Sequence, residues 1–211
     1  MIKDDGRGIM TKASDLFVKC LEAEDVEYIF GLPGEETNDL MMSLLDSKIK
    51  FILVRHEQAA AFMADVYGRI TQKVGVCLST LGPGATNLTT GVANANMDRS
   101  PILAITAQTD SNLLHKESHQ NMDAVTLFKP ITKWSWSIRN ANSIPEIIRR
   151  AFKISLEEKA GAVHLVLPRD IAKQNSTRCS CINYITCLMQ SKRSLTLDTN
   201  NFYVMIEHWC M

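Results

Sequence analysis

The sequence predicts an α/β fold: three layers, with helices on both faces of a central, mostly parallel sheet. Two observations carry this expectation. Short apolar runs alternate with segments of helical period from Thr11 to Leu167, and such alternation builds parallel sheets through crossover connections. Several of the runs are apolar throughout, as strands covered on both faces are. A third observation, the ordinary globular composition of the 211 residues, 45% apolar and 22% charged, gives a chain this long enough core without disulfides or metals.

The elements follow in order. Thr11 is placed to cap a helix whose stripe is Ala13, Leu16, Phe17, Cys20 and Leu21. Val26 to Phe30 reads as a strand stopped by Gly31-Leu32-Pro33-Gly34. A helix with Leu40, Met41, Leu44 and Leu45 inward follows, then a strand from Ile49 to Val54 expected to be covered on both faces. Ala59 to Ile70 reads as a buried helix and Val74 to Thr80 as a third strand. A glycine-rich turn leads to a helix from about Leu88 to Met97, and Pro101 to Ala107 is a fourth strand. Trp134 and Trp136 look like one face of a strand. Ser143-Ile144-Pro145-Glu146 has the form of a capping box, opening a helix with Ile147, Ile148, Ala151, Phe152 and Leu156 inward. Gly161 ends it, and Val163 to Leu167 is the last strand.

Residues 1–9 are expected to be a flexible N-terminus, 10–173 the folded domain, and 174–211 an irregular tail. That tail mixes Ser, Thr, Asn and Cys without period; Leu195–Leu197 and Phe202–Ile206 are its only strand-like runs. The balance of 23 basic against 23 acidic residues argues against nucleic-acid or membrane-surface partners held by charge. No apolar run approaches the roughly 18 residues of a membrane span. The N-terminus lacks the apolar core of a secretory signal, so a cytoplasmic, reducing setting is the expectation. Cys20 and Cys77 read as small core residues. Cys179, Cys181, Cys187 and Cys210, with His208, match no zinc spacing, and no metal ligand is expected.

Ligands of such sheets sit beyond the C-terminal ends of strands. That selects four loops: Gly31–Gly34, Arg55–Gln58, Leu81–Asn87 and the stretch after Ala107. Glu57 lies where a strand meets an alanine-rich helix. Desolvation there would penalise a charged carboxyl, which suits proton transfer near neutral pH. The plainer alternative is a helix-opening acid facing the dipole and Arg55 or His56. Gly82-Pro83-Gly84 lets backbone approach a flat ligand closely, and the helix after it offers N–H donors. It lacks the Lys-Ser/Thr of a phosphate loop and the spacing of a dinucleotide fingerprint, and a simple tight turn explains it equally. Glu35 and Glu36 read as acids opening a helix. His115, His119 and Gln120 lie in a polar loop.

Taken together these segments carry a resemblance. Arg55-His56-Glu57-Gln58-Ala59-Ala60, Ala64–Arg69, Leu81–Asn87, Gly91–Asn96, Pro101–Thr106 and His119-Gln120 stand in order over residues 10 to 173. They resemble the N-terminal, pyrimidine-binding domain of thiamine-diphosphate-dependent enzymes, most closely acetolactate synthase large subunits. The resemblance implies that domain's fold and a part in joining pyruvate to a 2-keto acid after decarboxylation, as in branched-chain amino-acid biosynthesis. It gives Glu57 the role of bonding N1′ of the cofactor's aminopyrimidine, favouring the imino tautomer that removes the thiazolium C2 proton. By the same carry-over Gly34, Gly82, Pro83, Gly84 and Asn87 line the cofactor site, and Gln120 reaches toward the reacting centre. Ala59, Asn94, Ala107 and Ala160 depart from the residues many relatives carry.

Family members are longer. They add a central domain, which in acetolactate synthases helps bind FAD, and a domain holding the diphosphate through Mg²⁺ with a Gly-Asp-Gly motif absent from this sequence. The resemblance therefore implies half of a site: a fragment inactive alone, or a split-enzyme or non-catalytic partner that dimerises with a full-length relative. A homodimer through the pyrimidine domain is the other implied assembly. Short subunits of two-chain keto-acid decarboxylases are of comparable size, but their motifs are not found here.

Overall fold

The computed structural model describes residues 10–114, 116 and 120–177. The expected strand pairs at 195–197 and 202–206, and the C-terminal cysteines with His208, lie outside the described residues. Six strands form one sheet in the order β3-β2-β4-β5-β7-β6: β2 (Tyr28–Leu32), β3 (Lys50–Leu53), β4 (Gly75–Ser79), β5 (Ile102–Gln108), β6 (Trp134–Ser137) and β7 (Ala162–Pro168). Every neighbouring pair in it is parallel. Side chains alternate across it, as strand geometry requires. Ile29, Val76, Leu78, Leu103, Ile105, Val163 and Leu165 face α1 (Ala13–Ala23), α2 (Asn38–Leu45) and α6 (Ile144–Leu156). Cys77, Ile102, Ala104 and Ala162 face α3 (Glu57–Thr71), α4 (Pro83–Met97) and α5 (Ala124–Phe128). The expected three-layer α/β/α architecture is thus the observed one.

Small residues set the second layer. A Cβ built at Gly91 of α4 would lie 2.5 Å from Ala61 Cβ of α3, so the two helices touch nearly backbone to backbone. Asp65 ties them as well: Arg69 reaches it through both Nε and Nη2 at 2.7 Å, and Asn94 of α4 donates to it at 2.8 Å. Burial opposes ionisation of Asp65, but the bonds from Arg69, Ser100 and Asn94 hold its carboxyl below the usual range. Asn94 can donate where an aspartate could not, which accounts for its presence beside a buried acid.

Several sequence expectations need correction. Thr11 does not cap α1; with Lys12 it forms β1, paired antiparallel to β8 (Asn175–Ser176). That pairing continues the fold past Lys173, and Ser176 is fully buried. Strand β2 runs through Gly31 and Leu32, because β4 lies so close that a Cβ at Gly31 would meet Leu78 O at 2.6 Å. Strand β3 is an edge strand, covered on one side only, and Leu53 is 67% exposed. Leu45 and Leu156 end their helices exposed at 75% and 49%. No capping box opens α6: Ser143 bonds back to Asn140 O as part of a 3-10 turn. Trp134 and Trp136 do share a strand face, stacked with centroids 6.0 Å apart, but Trp136 is half exposed.

Candidate functional site

The chain leaves β2 toward α2 on one face of the sheet and leaves β4 toward α4 on the other. The C-terminal ends of these adjacent strands form a topological switch point, the usual ligand position of a doubly wound sheet. The loops after β2, β3 and β4 start at this end of the sheet.

Glu57 is the first residue of α3, and only 6% exposed. His56 precedes it in extended conformation and caps the helix, its Nδ1 accepting from Gln58 N at 3.2 Å. This sends Arg55 and His56 to solvent and turns Glu57 inward. Asn87 Nδ2 donates to Glu57 Oε2 at 2.9 Å. Oε1 has no hydrogen-bond partner among the described residues and lies against Gly84, 3.3 Å from where a Cβ there would stand. The interaction of Glu57 with Arg55 or His56, the plain alternative from sequence, is not formed.

The glycines bring backbone segments together around this carboxylate. Gly82, at φ +55°, precedes α4, and a Cβ there would lie 2.8 Å from both Gln120 Cβ and Gln120 O. Any other residue at 82 would be strained by its φ and would push the Gln120 segment away. Gln120 itself is left-handed at φ 52° and exposed. Gly34 opens a 3-10 turn, Glu35–Thr37, fixed by Thr37: its hydroxyl donates to Gly34 O at 2.7 Å and accepts from Gly34 N at 2.9 Å. Pro83 is exposed at the first position of α4, where its fixed φ suits the helix start. Gly84 N bonds Leu81 O at 3.1 Å, so that donor serves the turn.

Sequence reasoning singled out Gly34, Glu57, Gly82, Pro83, Gly84, Asn87 and Gln120; in the structure Glu57 lies beside Asn87 and Gly84, and Gly82 lies against the Gln120 segment. It missed Thr80, whose side chain fills the space that Cβ atoms at Gly34 and Gly84 would take, at 2.5 Å and 2.8 Å. It also missed that the two acids after Gly34 diverge. Glu36 accepts from Thr80 Oγ1 at 2.7 Å. Glu35 meets Arg169 at 3.1 Å, which also holds Asp110 through two bonds of 2.9 Å. A hydroxyl ending an apolar strand just before a glycine turn was the available signal. His115 and His119 lie outside the described residues. Among the described residues no cluster of three or more His, Cys, Asp or Glu is arranged to hold a metal ion.

The site is thus a buried carboxylate, bonded through one oxygen to Asn87 and bordered by the glycine turn that opens α4. Residues 11–127 match the family described as thiamine pyrophosphate enzyme, N-terminal TPP binding domain. The chain belongs to that family. It is 46% identical over 160 residues to the probable acetolactate synthase large subunit of Methanocaldococcus jannaschii, covering 76% of this chain and 27% of the relative. It is 42% identical over 158 residues to the catabolic acetolactate synthase of Raoultella terrigena, covering 75% and 28%. With the acetolactate synthase of Bacillus subtilis (strain 168) it shares 38% over 166 residues, covering 79% and 29%. The chain thus spans somewhat over a quarter of the length of these relatives, and its match falls on the N-terminal TPP binding domain of the family.

Proposed function

We propose that this chain supplies the pyrimidine half of a thiamine-diphosphate site for decarboxylating pyruvate and joining the product to a second 2-keto acid. The observation that carries the reading is Glu57: a carboxylate 6% exposed whose Oε1 is free of partners among the described residues. Bound thiamine diphosphate would supply a carbon acid whose deprotonated form is the nucleophile toward a keto-acid carbonyl.

The chain's residues hold and tune that group. Glu57 would share a proton with N1′ of the aminopyrimidine through a hydrogen bond at Oε1. Asn87, bonded to Oε2, fixes the carboxylate's plane and keeps its second oxygen occupied. Gly82, Pro83 and Gly84 wall the ring on the α4 side and Gly34 on the α2 side. Gln120, whose segment packs against Gly82, would reach toward the reacting centre. The dry setting strengthens each of these contacts.

The diphosphate and its Mg²⁺ would be held by a domain outside this chain, as would any FAD of the complete enzyme. The partner is a second chain carrying that domain, or a second copy of this one. One observation favours completion by a partner: α3 presents an outward apolar stripe that runs from Met63 (44% exposed) through Val66 (51%) to Ile70 (76%). Contiguous apolar surface of this kind marks interaction sites. The proposed setting is the cytoplasm; among the described residues no helix is long and apolar enough to cross a membrane.

The experiment mixes the 211-residue chain with the separately expressed diphosphate-binding domain of a relative, thiamine diphosphate and Mg²⁺, and follows CO2 release from pyruvate. Activity should appear only in the mixture, and Glu57→Gln should lower it about 10²–10⁴-fold, the usual weight of positioned proton transfer. Full activity of that variant would contradict the reading.

A further inference from the structure

Thr80 stands between the Gly34 turn and the Gly84–Glu57 side of the site. Its Oγ1 donates to Glu36 Oε2 at 2.7 Å. Its Cγ2 lies between the two glycines, 3.0 Å from a Cβ built at Gly34. A Cβ at Gly84 would meet that methyl at 2.8 Å and Glu57 Oε1 at 3.3 Å, so methyl and carboxylate flank the same point. A threonine χ1 has other staggered wells, in one of which the hydroxyl takes the methyl's present place. The bond to Glu36 selects the present well, in which the methyl rather than the hydroxyl faces the point that Glu57 Oε1 also borders. Without it, a hydroxyl turned toward the carboxylate would compete with a ligand ring nitrogen for the free oxygen.

We propose that Glu36 is a positioning residue for the pyrimidine site: by holding the Thr80 hydroxyl it keeps Glu57 Oε1 open for the proton-sharing bond to the ring nitrogen. The inference rests on the pyrimidine reading above and assigns Glu36 a role that its place as a helix-opening acid does not suggest. Glu35, drawn away by Arg169 at 3.1 Å, does not share that role. No proton is transferred through Glu36; its effect is on orientation alone.

The test titrates the full chain with 4-amino-5-hydroxymethyl-2-methylpyrimidine and reads the amide resonances of Gly34, Gly82 and Gly84. Wild type should show saturable shifts that Glu57→Gln removes; if it shows none, the pyrimidine reading falls and this proposal with it. Given wild-type binding, Glu36→Ala should weaken it about tenfold, the order of one charge-assisted hydrogen bond. Glu36→Asp, which keeps the charge but falls short of Thr80, should do the same and serves if the alanine variant does not fold. Adding Thr80→Val to either removes the competing hydroxyl and should restore binding to within about threefold, a coupling that a merely structural loss would not show. Wild-type affinity in Glu36→Ala and Glu36→Asp, or no recovery on adding Thr80→Val, would overturn the proposal while leaving the pyrimidine reading intact.

Discussion

Gly82 and Glu57 define the site at the scale of single residues, and each does so through what surrounds it. Gly82 combines a positive φ with a wall: a side chain there meets both the Cβ and the carbonyl of Gln120 at 2.8 Å. Gly82→Ala should therefore destabilise the chain by about 1–3 kcal/mol and displace the Gln120 segment. Urea unfolding measures the first, and the Gln120 amide shift the second; an unchanged midpoint would mean that the turn relaxes freely. Glu57 was legible from its place between strand and helix, together with the motif around it. Thr80 and Glu36 were not, because their contact joins residues 44 apart and is made only when β2 and β4 pair. The C-terminal metal and strand readings lie outside the described residues.

Neighbouring strands explain a buried histidine that no ligand reading needs. His164 of β7 is fully buried, stacked on Phe128 at 3.9 Å, and contacts Thr106 of β5 at 2.9 Å and Ser135 of β6 at 2.8 Å. Burial lowers its pKa from 6.5 to about 3. The unfolded chain therefore binds a proton that the folded one refuses between these values. Stability from this group is whole above pH 6.5 and is lost as pH falls toward 3. Through that window wild type should lose up to about 1.4 kcal/mol per pH unit more than His164→Gln, read by urea unfolding at a series of pH values; parallel slopes would exclude the mechanism. The same scale shows where sequence periodicity stops. It found α1, α2, α3 and α6 and the strands of the sheet, because burial of one face dictates spacing. It missed the edge status of β3, since an apolar run carries no record of how many neighbours a strand has. It began α4 near Leu88 rather than Pro83, because Gly and Pro in the first turn resemble a loop until the helix after them is seen.

The described residues form a three-layer domain, and the chain spans only 27–29% of three acetolactate synthases it resembles. Those facts fit a half-site that a partner completes. The claim that Glu57 is the cofactor-activating group is tested most directly by the chemistry that precedes any substrate. The 211-residue chain, a relative's diphosphate-binding domain, Mg²⁺ and thiamine diphosphate are combined in D2O, and loss of the thiazolium C2 proton is followed by quenched-flow ¹H NMR. Wild type should accelerate that exchange over free cofactor, and Glu57→Gln should return it toward the free rate. Equal acceleration by both chains would contradict the account, because the activating carboxylate would then have to come from elsewhere.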